Sequence, residues 1–134
     1  VVGGARHAAG PQYFQPTILT GARADMDLAS EETFGPVAPL FRFETEEEAI
    51  ALANATEYGL AAYVFTQGLD RMWRVVDAIE TGMIGVNEGL ISNEVAPFGG
   101  IKESGIGREG SRHGLEEYLE QKYILITPTK AARP

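Results

Sequence analysis

The order of apolar and polar residues divides the chain into alternating strand-like and helix-like segments. Tyr13 to Thr20 reads as extended, with Pro16 confining it to an edge or a bend. Residues 21–36 read as a loop with room for one short helical turn, ending at Phe34-Gly35-Pro36. Val37 to Phe43 is the next strand candidate, carried by Val37, Leu40, Phe41 and Phe43. A helix over about 46–54 follows. Thr45 and Glu48 have capping-box spacing, in which the hydroxyl accepts from the N–H near Glu48 and the carboxylate reaches back to Thr45. This helix should bury Ala49, Ile50, Leu52 and Ala53. Leu60 to Phe65 is apolar enough for a strand buried on both faces. Met72, Val75, Val76 and Ile79 then recur at i, i+3, i+4 and i+7, which predicts a helix near 70–81 with Gly82 as its C-cap. Met83 to Val86 makes a further strand, 87–112 a long loop, about 114–120 a short helix and about 122–126 a terminal strand. The alternation predicts an α/β layer: a mainly parallel sheet holding 37–43, 60–65 and 83–86, with flanking helices.

A length of 134 residues and a hydrophobic fraction of 44% suit one compact domain with a core of its own. The formal net charge is -8, and the Lys and Arg are scattered rather than clustered, which argues against a nucleic-acid partner. The longest apolar runs have strand length, so no membrane span is predicted. No signal-peptide pattern stands at the start, and the chain opens on Val1 rather than methionine, which leaves room for an upstream segment. There is no cysteine. This suits a reducing cytoplasm, the expected location, and it means that no thiol chemistry can occur on this chain.

Several chemical motifs have plain structural readings. Glu46, Glu47 and Glu48 sit in the first turn of a helix, where the dipole favours negative charge. Met72 and Trp73 read as core packing. Gly105-Ile106-Gly107-Arg108-Glu109-Gly110 spells GxGxxG, but a dinucleotide turn needs a strand before it and a helix opening on its third glycine. The preceding Phe98-Gly99-Gly100-Ile101-Lys102-Glu103-Ser104 is no strand, so the motif reads as loop geometry. His7 and His113 stand far apart with no matching ligands, and no metal site is expected. Ser104 and Ser111 lie in no nucleophile elbow.

Three segments carry more information together than apart: Glu31-Glu32-Thr33-Phe34-Gly35-Pro36, Gly82-Met83-Ile84-Gly85-Val86-Asn87, and Pro97-Phe98-Gly99-Gly100-Ile101-Lys102-Glu103-Ser104-Gly105-Ile106-Gly107-Arg108-Glu109. In this order they resemble the C-terminal third of the aldehyde dehydrogenase superfamily. Tyr58-Gly59-Leu60-Ala61-Ala62 and Glu117-Tyr118-Leu119-Glu120-Gln121-Lys122-Tyr123 fit the same pattern, and the resemblance runs from about Phe14 to Ile126. Within the superfamily, Asn87-Glu88-Gly89-Leu90-Ile91-Ser92-Asn93-Glu94 is most similar to the succinate-semialdehyde dehydrogenases.

The resemblance implies a parent enzyme in which a thiolate attacks an aldehyde, hydride passes to NAD or NADP, and water releases the acid. Residues 1–121 would be the C-terminal part of its catalytic domain, and 122–134 an oligomerisation strand and tail through which the enzyme forms a homo-oligomer. The nucleophilic Cys, the general base and the dinucleotide domain would all lie upstream, so this chain alone is expected to be inactive and to bind no cofactor. By position Glu32 resembles the ligand of the nicotinamide ribose, and Phe34 the aromatic beside it. A carboxylate can accept from both ribose hydroxyls, and an aromatic ring limits the swing of the nicotinamide. Phe98 resembles the aromatic lining the aldehyde pocket. Ser92 is expected to donate to the distal carboxylate of succinate semialdehyde. A different class also stays open: a free-standing, non-catalytic binding or scaffolding module derived from the same superfamily. The reading frame upstream of Val1 distinguishes the two.

Overall fold

A computed structural model describes residues 1–128. Six strands and two α-helices alternate along them: β1 (Thr17–Ala22), β2 (Val37–Phe41), α1 (Glu46–Asn54), β3 (Tyr58–Gly59), β4 (Ala61–Val64), α2 (Leu69–Ala78), β5 (Met83–Val86) and β6 (Ile101–Lys102). Short 3-10 turns lie at Asp27–Ala29 and His113–Tyr118. The mixed α/β class and the parallel strand pairing agree with the sequence reading.

The helix signals act as read. The Glu48 N–H donates to Thr45 Oγ1 at 3.1 Å and starts α1. The return arm of the box goes one residue further, to the Glu44 N–H at 2.7 Å. The two helices are tied to each other by polar groups. Glu46 accepts from Arg74 Nε at 2.7 Å and from Arg71 Nε at 3.1 Å. The Arg74 hydrogen bond, more than any other cause, holds the Glu46 carboxyl below its ordinary range. Asn54 ends α1 by donating to the Ala78 carbonyl and accepting from the Glu80 N–H, so the C-terminal ends of both helices are joined.

Three expectations need correction. The strands do not form one sheet: β1–β2 and β4–β5 are separate parallel pairs, and β3–β6 is an antiparallel pair. Each described strand pairs with a single neighbour, so the three ladders stay separate. Nor is there a core. Among the described residues no apolar side chain is buried, and the buried positions are Thr17, Gly59, Gly85 and Gly100. The apolar stripe of α2 faces inward only to half-burial, Ala53 is exposed, Trp73 is 64% exposed, and Leu60, Tyr63 and Phe65 lie open instead of buried on both faces. Gly82 does not cap α2, which stops at Ala78 with Ile79 already extended. Residues 122–126, expected to leave the body and pair with the edge of a second copy, join no ladder among the described residues. They are exposed throughout. The tail beyond Pro128 lies outside the described residues.

Candidate active-site surface

The structured centre of the chain is the long loop after β5. Long loops are either functional or disordered, and this one is fixed at many points. The Glu88 carboxylate accepts from the N–H groups of Gly89 and Leu90 at 2.8 and 3.1 Å. Ile91 lies against the bare face of Gly85, where a Cβ would stand 2.7 Å from its Cγ2. Asn93 Oδ1 accepts from the Val95 N–H at 3.0 Å, and the Glu94 carbonyl accepts from the Ser111 N–H at 3.0 Å. Phe98 and Glu109 then exchange two backbone hydrogen bonds of 2.8 and 2.7 Å.

Glycines allow the next close approach. A Cβ on Gly82 would fall on the Gly99 carbonyl, and one on Gly99 would fall on the Gly107 carbonyl. Arg108 ties this double-glycine turn down, donating from Nη1 to the Gly100 and Gly107 carbonyls at 2.7 and 2.8 Å. Ser104 Oγ accepts from the Gly59 N–H at 3.0 Å, fixing β6 to β3. Lys102 adopts φ 55° and sends Nζ to the carbonyls of Asn54 and Thr56 and to Glu80 Oε2, the last at 2.7 Å. The GxGxxG letters are loop geometry, as read from the sequence. Gly105, Gly107 and Gly110 all have positive φ (97°, 123° and 67°), and no helix opens on the third of them.

Two grooves share Leu60 and Ser104 in their walls. The larger, about 840 Å³, takes in Phe98, Arg108, Leu115 and Tyr118. The smaller, about 440 Å³, takes in Glu32, Thr56, Tyr58 and Glu103. Its rim is negative: the neighbouring Glu57 above all, with Glu32 and Glu103 adding, pushes the Tyr58 phenol above its ordinary value. Glu32 and the 37%-exposed Phe98 therefore lie in adjoining grooves. Phe34, 91% exposed, and Ser92, also exposed, line neither. An exposed carboxylate at Glu32 and an open ring at Phe34 fit a ribose and a nicotinamide chemically, since neither group is engaged in the chain's interior.

Sequence reading assigned no structural role to the residues that hold this surface together: Asn87, Lys102, Ser104 and Arg108. Their polar groups bond to backbone carbonyls and N–H groups brought close only by the fold. The one local signal was the departure from strand pattern at Asn87, a residue type that tolerates left-handed backbone.

The aldehyde dehydrogenase family model matches residues 1–124. The chain belongs to the aldehyde dehydrogenase family. It is 57% identical over 126 residues to a succinate semialdehyde dehydrogenase of Acinetobacter baylyi, covering 94% of this chain and 26% of that protein. It is 56% identical over 126 residues to a 3-sulfolactaldehyde dehydrogenase of Pseudomonas putida, again covering 94% and 26%. Among solved structures it is similar to an NADP-dependent enzyme of E. coli, with a TM-score of 0.90, 58% identity, and 92% of this chain and 26% of that one covered. The chain thus spans about a quarter of the length of the curated relatives it matches.

Proposed function

We propose that this chain is the C-terminal part of the catalytic domain of an NAD(P)-dependent aldehyde dehydrogenase, and that the whole enzyme oxidises succinate semialdehyde to succinate in the cytoplasm. One observation carries the reading. An ordered, site-like loop is attached to a body in which no described apolar side chain is buried. Burial of apolar surface is the main favourable term in folding, so Trp73, Phe65 and Leu69 require a covering body. The same observation weighs against a free-standing module.

The missing chemistry belongs to that covering body. With no cysteine, this chain has no thiolate to form the thiohemiacetal. The nicotinamide cofactor, when bound, would supply a hydride acceptor. Glu32 would hold the ribose by accepting from its hydroxyls, and Phe34 would limit the swing of the ring. Phe98 lines the aldehyde pocket and Ser92 donates to the far end of the substrate. Both relatives named above act on aldehydes with an anionic group at that end, a carboxylate in one and a sulfonate in the other. A hydroxyl donor suits either anion, and a cationic partner is expected from the rest of the enzyme, because a hydroxyl cannot neutralise a buried charge. Residues 122–126 would add to a sheet edge of a second copy, giving a homo-oligomer.

The test is Ser92→Ala in the intact enzyme, with succinate semialdehyde compared against butanal. A hydrogen bond to a charged group contributes roughly 1.5–3 kcal/mol, so kcat/KM for the charged substrate should fall about ten- to a hundred-fold more than for butanal. An equal fall for both removes Ser92 from substrate recognition. The isolated chain, freed of intact enzyme, should produce no NAD(P)H from either aldehyde.

A further inference from the structure

The loop that carries Ser92 begins at Asn87, where the main chain and the side chain part company. β4 and β5 run parallel to their last paired residues, Val64 and Val86. The Asn87 N–H makes one more ladder bond, to the Val64 carbonyl at 2.8 Å. Its backbone then enters the left-handed region at φ 54° and leaves the sheet. At that point the N–H and carbonyl of Thr66 lose their strand partner. The Asn87 carboxamide replaces it: Oδ1 accepts from the Thr66 N–H at 2.8 Å, and Nδ2 donates to the Thr66 carbonyl at 2.8 Å. A primary amide offers an acceptor and a donor side by side, as a peptide group does. The side chain therefore continues the ladder for one residue after the main chain has departed.

We infer that Asn87 is a positioning residue: its side-chain amide stands in for a backbone rung, and this fixes where the loop 88–97 leaves the sheet and hence where Ser92 stands relative to Phe98. Its consequence for substrate choice rests on the proposed role of Ser92. The geometry leaves few substitutes. Glycine accepts the backbone conformation without strain but has no amide. Aspartate tolerates the conformation and keeps the acceptor, but it has no donor and sets a carboxylate against the Thr66 carbonyl. The first turn of the loop depends on the same departure angle, since Ile91 reaches Gly85 only if the chain doubles back at once.

The experiment uses the intact enzyme with Asn87→Gly and Asn87→Asp, and has two readouts. In the first, amide hydrogen exchange across residues 88–97 should rise about ten-fold or more in Asn87→Gly and by less in Asn87→Asp, while the amides of β4 stay unchanged. In the second, kcat/KM for succinate semialdehyde should fall about ten-fold more than for butanal, through KM rather than kcat. Exchange that is unchanged in the loop, or that rises equally in β4, overturns the positioning role. An equal loss of kcat/KM for both aldehydes, with exchange raised in the loop alone, strikes the role proposed for Ser92 and leaves Asn87 as the positioning residue. If the unmutated enzyme treats the two aldehydes alike, the substrate reading falls, and the exchange measurement alone then decides for or against Asn87. Should the glycine variant not fold, the aspartate variant decides by the same criteria.

Discussion

The loop 87–111 and the segment 119–128 are opposites in sequence and in outcome. The loop is poor in apolar residues and rich in Gly, Asn, Ser and Glu, yet its backbone is held at a succession of named contacts. The segment holds Tyr123, Ile124, Leu125 and Ile126, a sequence with strong strand propensity, yet it joins no ladder and each of these side chains is at least two-thirds exposed. The difference lies in who supplies the partner. In the loop, side-chain amides, carboxylates and guanidinium groups bring partners for backbone groups with them. A strand can only be paired by another strand. Propensity without an edge gives an extended tail, and polar chemistry with close glycines gives a fixed loop.

Mutations that strike the loop's fixed points should therefore cost most. The largest loss is expected for Gly99→Ala, whose Cβ would fall on the Gly107 carbonyl. Overpacking against backbone costs about 3 kcal/mol, read as the shift in unfolding midpoint of the intact enzyme. A variant as stable as its parent would mean that the double-glycine turn is loose, and the contrast with the tail would collapse.

Arg108→Met comes next. It removes the two hydrogen bonds to the Gly100 and Gly107 carbonyls while keeping a similar apolar stem. The expected loss is about 1.5 kcal/mol in the same unfolding measurement, with restoration of part of it by Arg108→Lys. No loss would assign the turn to its glycines alone.

The smallest effect belongs to the tail. Ile124→Asp should leave the far-UV circular dichroism of the isolated chain unchanged, since Ile124 has no packing to lose there. In the intact enzyme the same change should shift sedimentation toward smaller species if residues 122–126 pair with a second copy as proposed, because a charge then enters that sheet edge. Slow amide exchange of residues 122–126 in the isolated chain would break the comparison outright.

Much of the fold was legible in order. Thr45 and Glu48 announced α1, the Met72, Val75, Val76 and Ile79 stripe announced the inward face of α2, and the alternation announced parallel pairing. The family was legible in three short segments whose letters needed no geometry. The sequence reading failed where a residue's role depends on what lies across from it. Leu60, Phe65 and Trp73 have the composition of core residues, and composition says how favourable burial would be, not whether a second surface exists.

The local elements, the lack of a thiol and the family follow from residue order alone, because they depend on neighbours within a few residues or on residue identity. That Asn87 completes a ladder, that Arg108 closes a turn eight residues behind it, and that Glu32 and Phe98 occupy adjoining grooves emerges from the folded chain. Those are long-range or backbone-directed contacts. A polar side chain can satisfy many partners in principle, and the fold selects the one it meets.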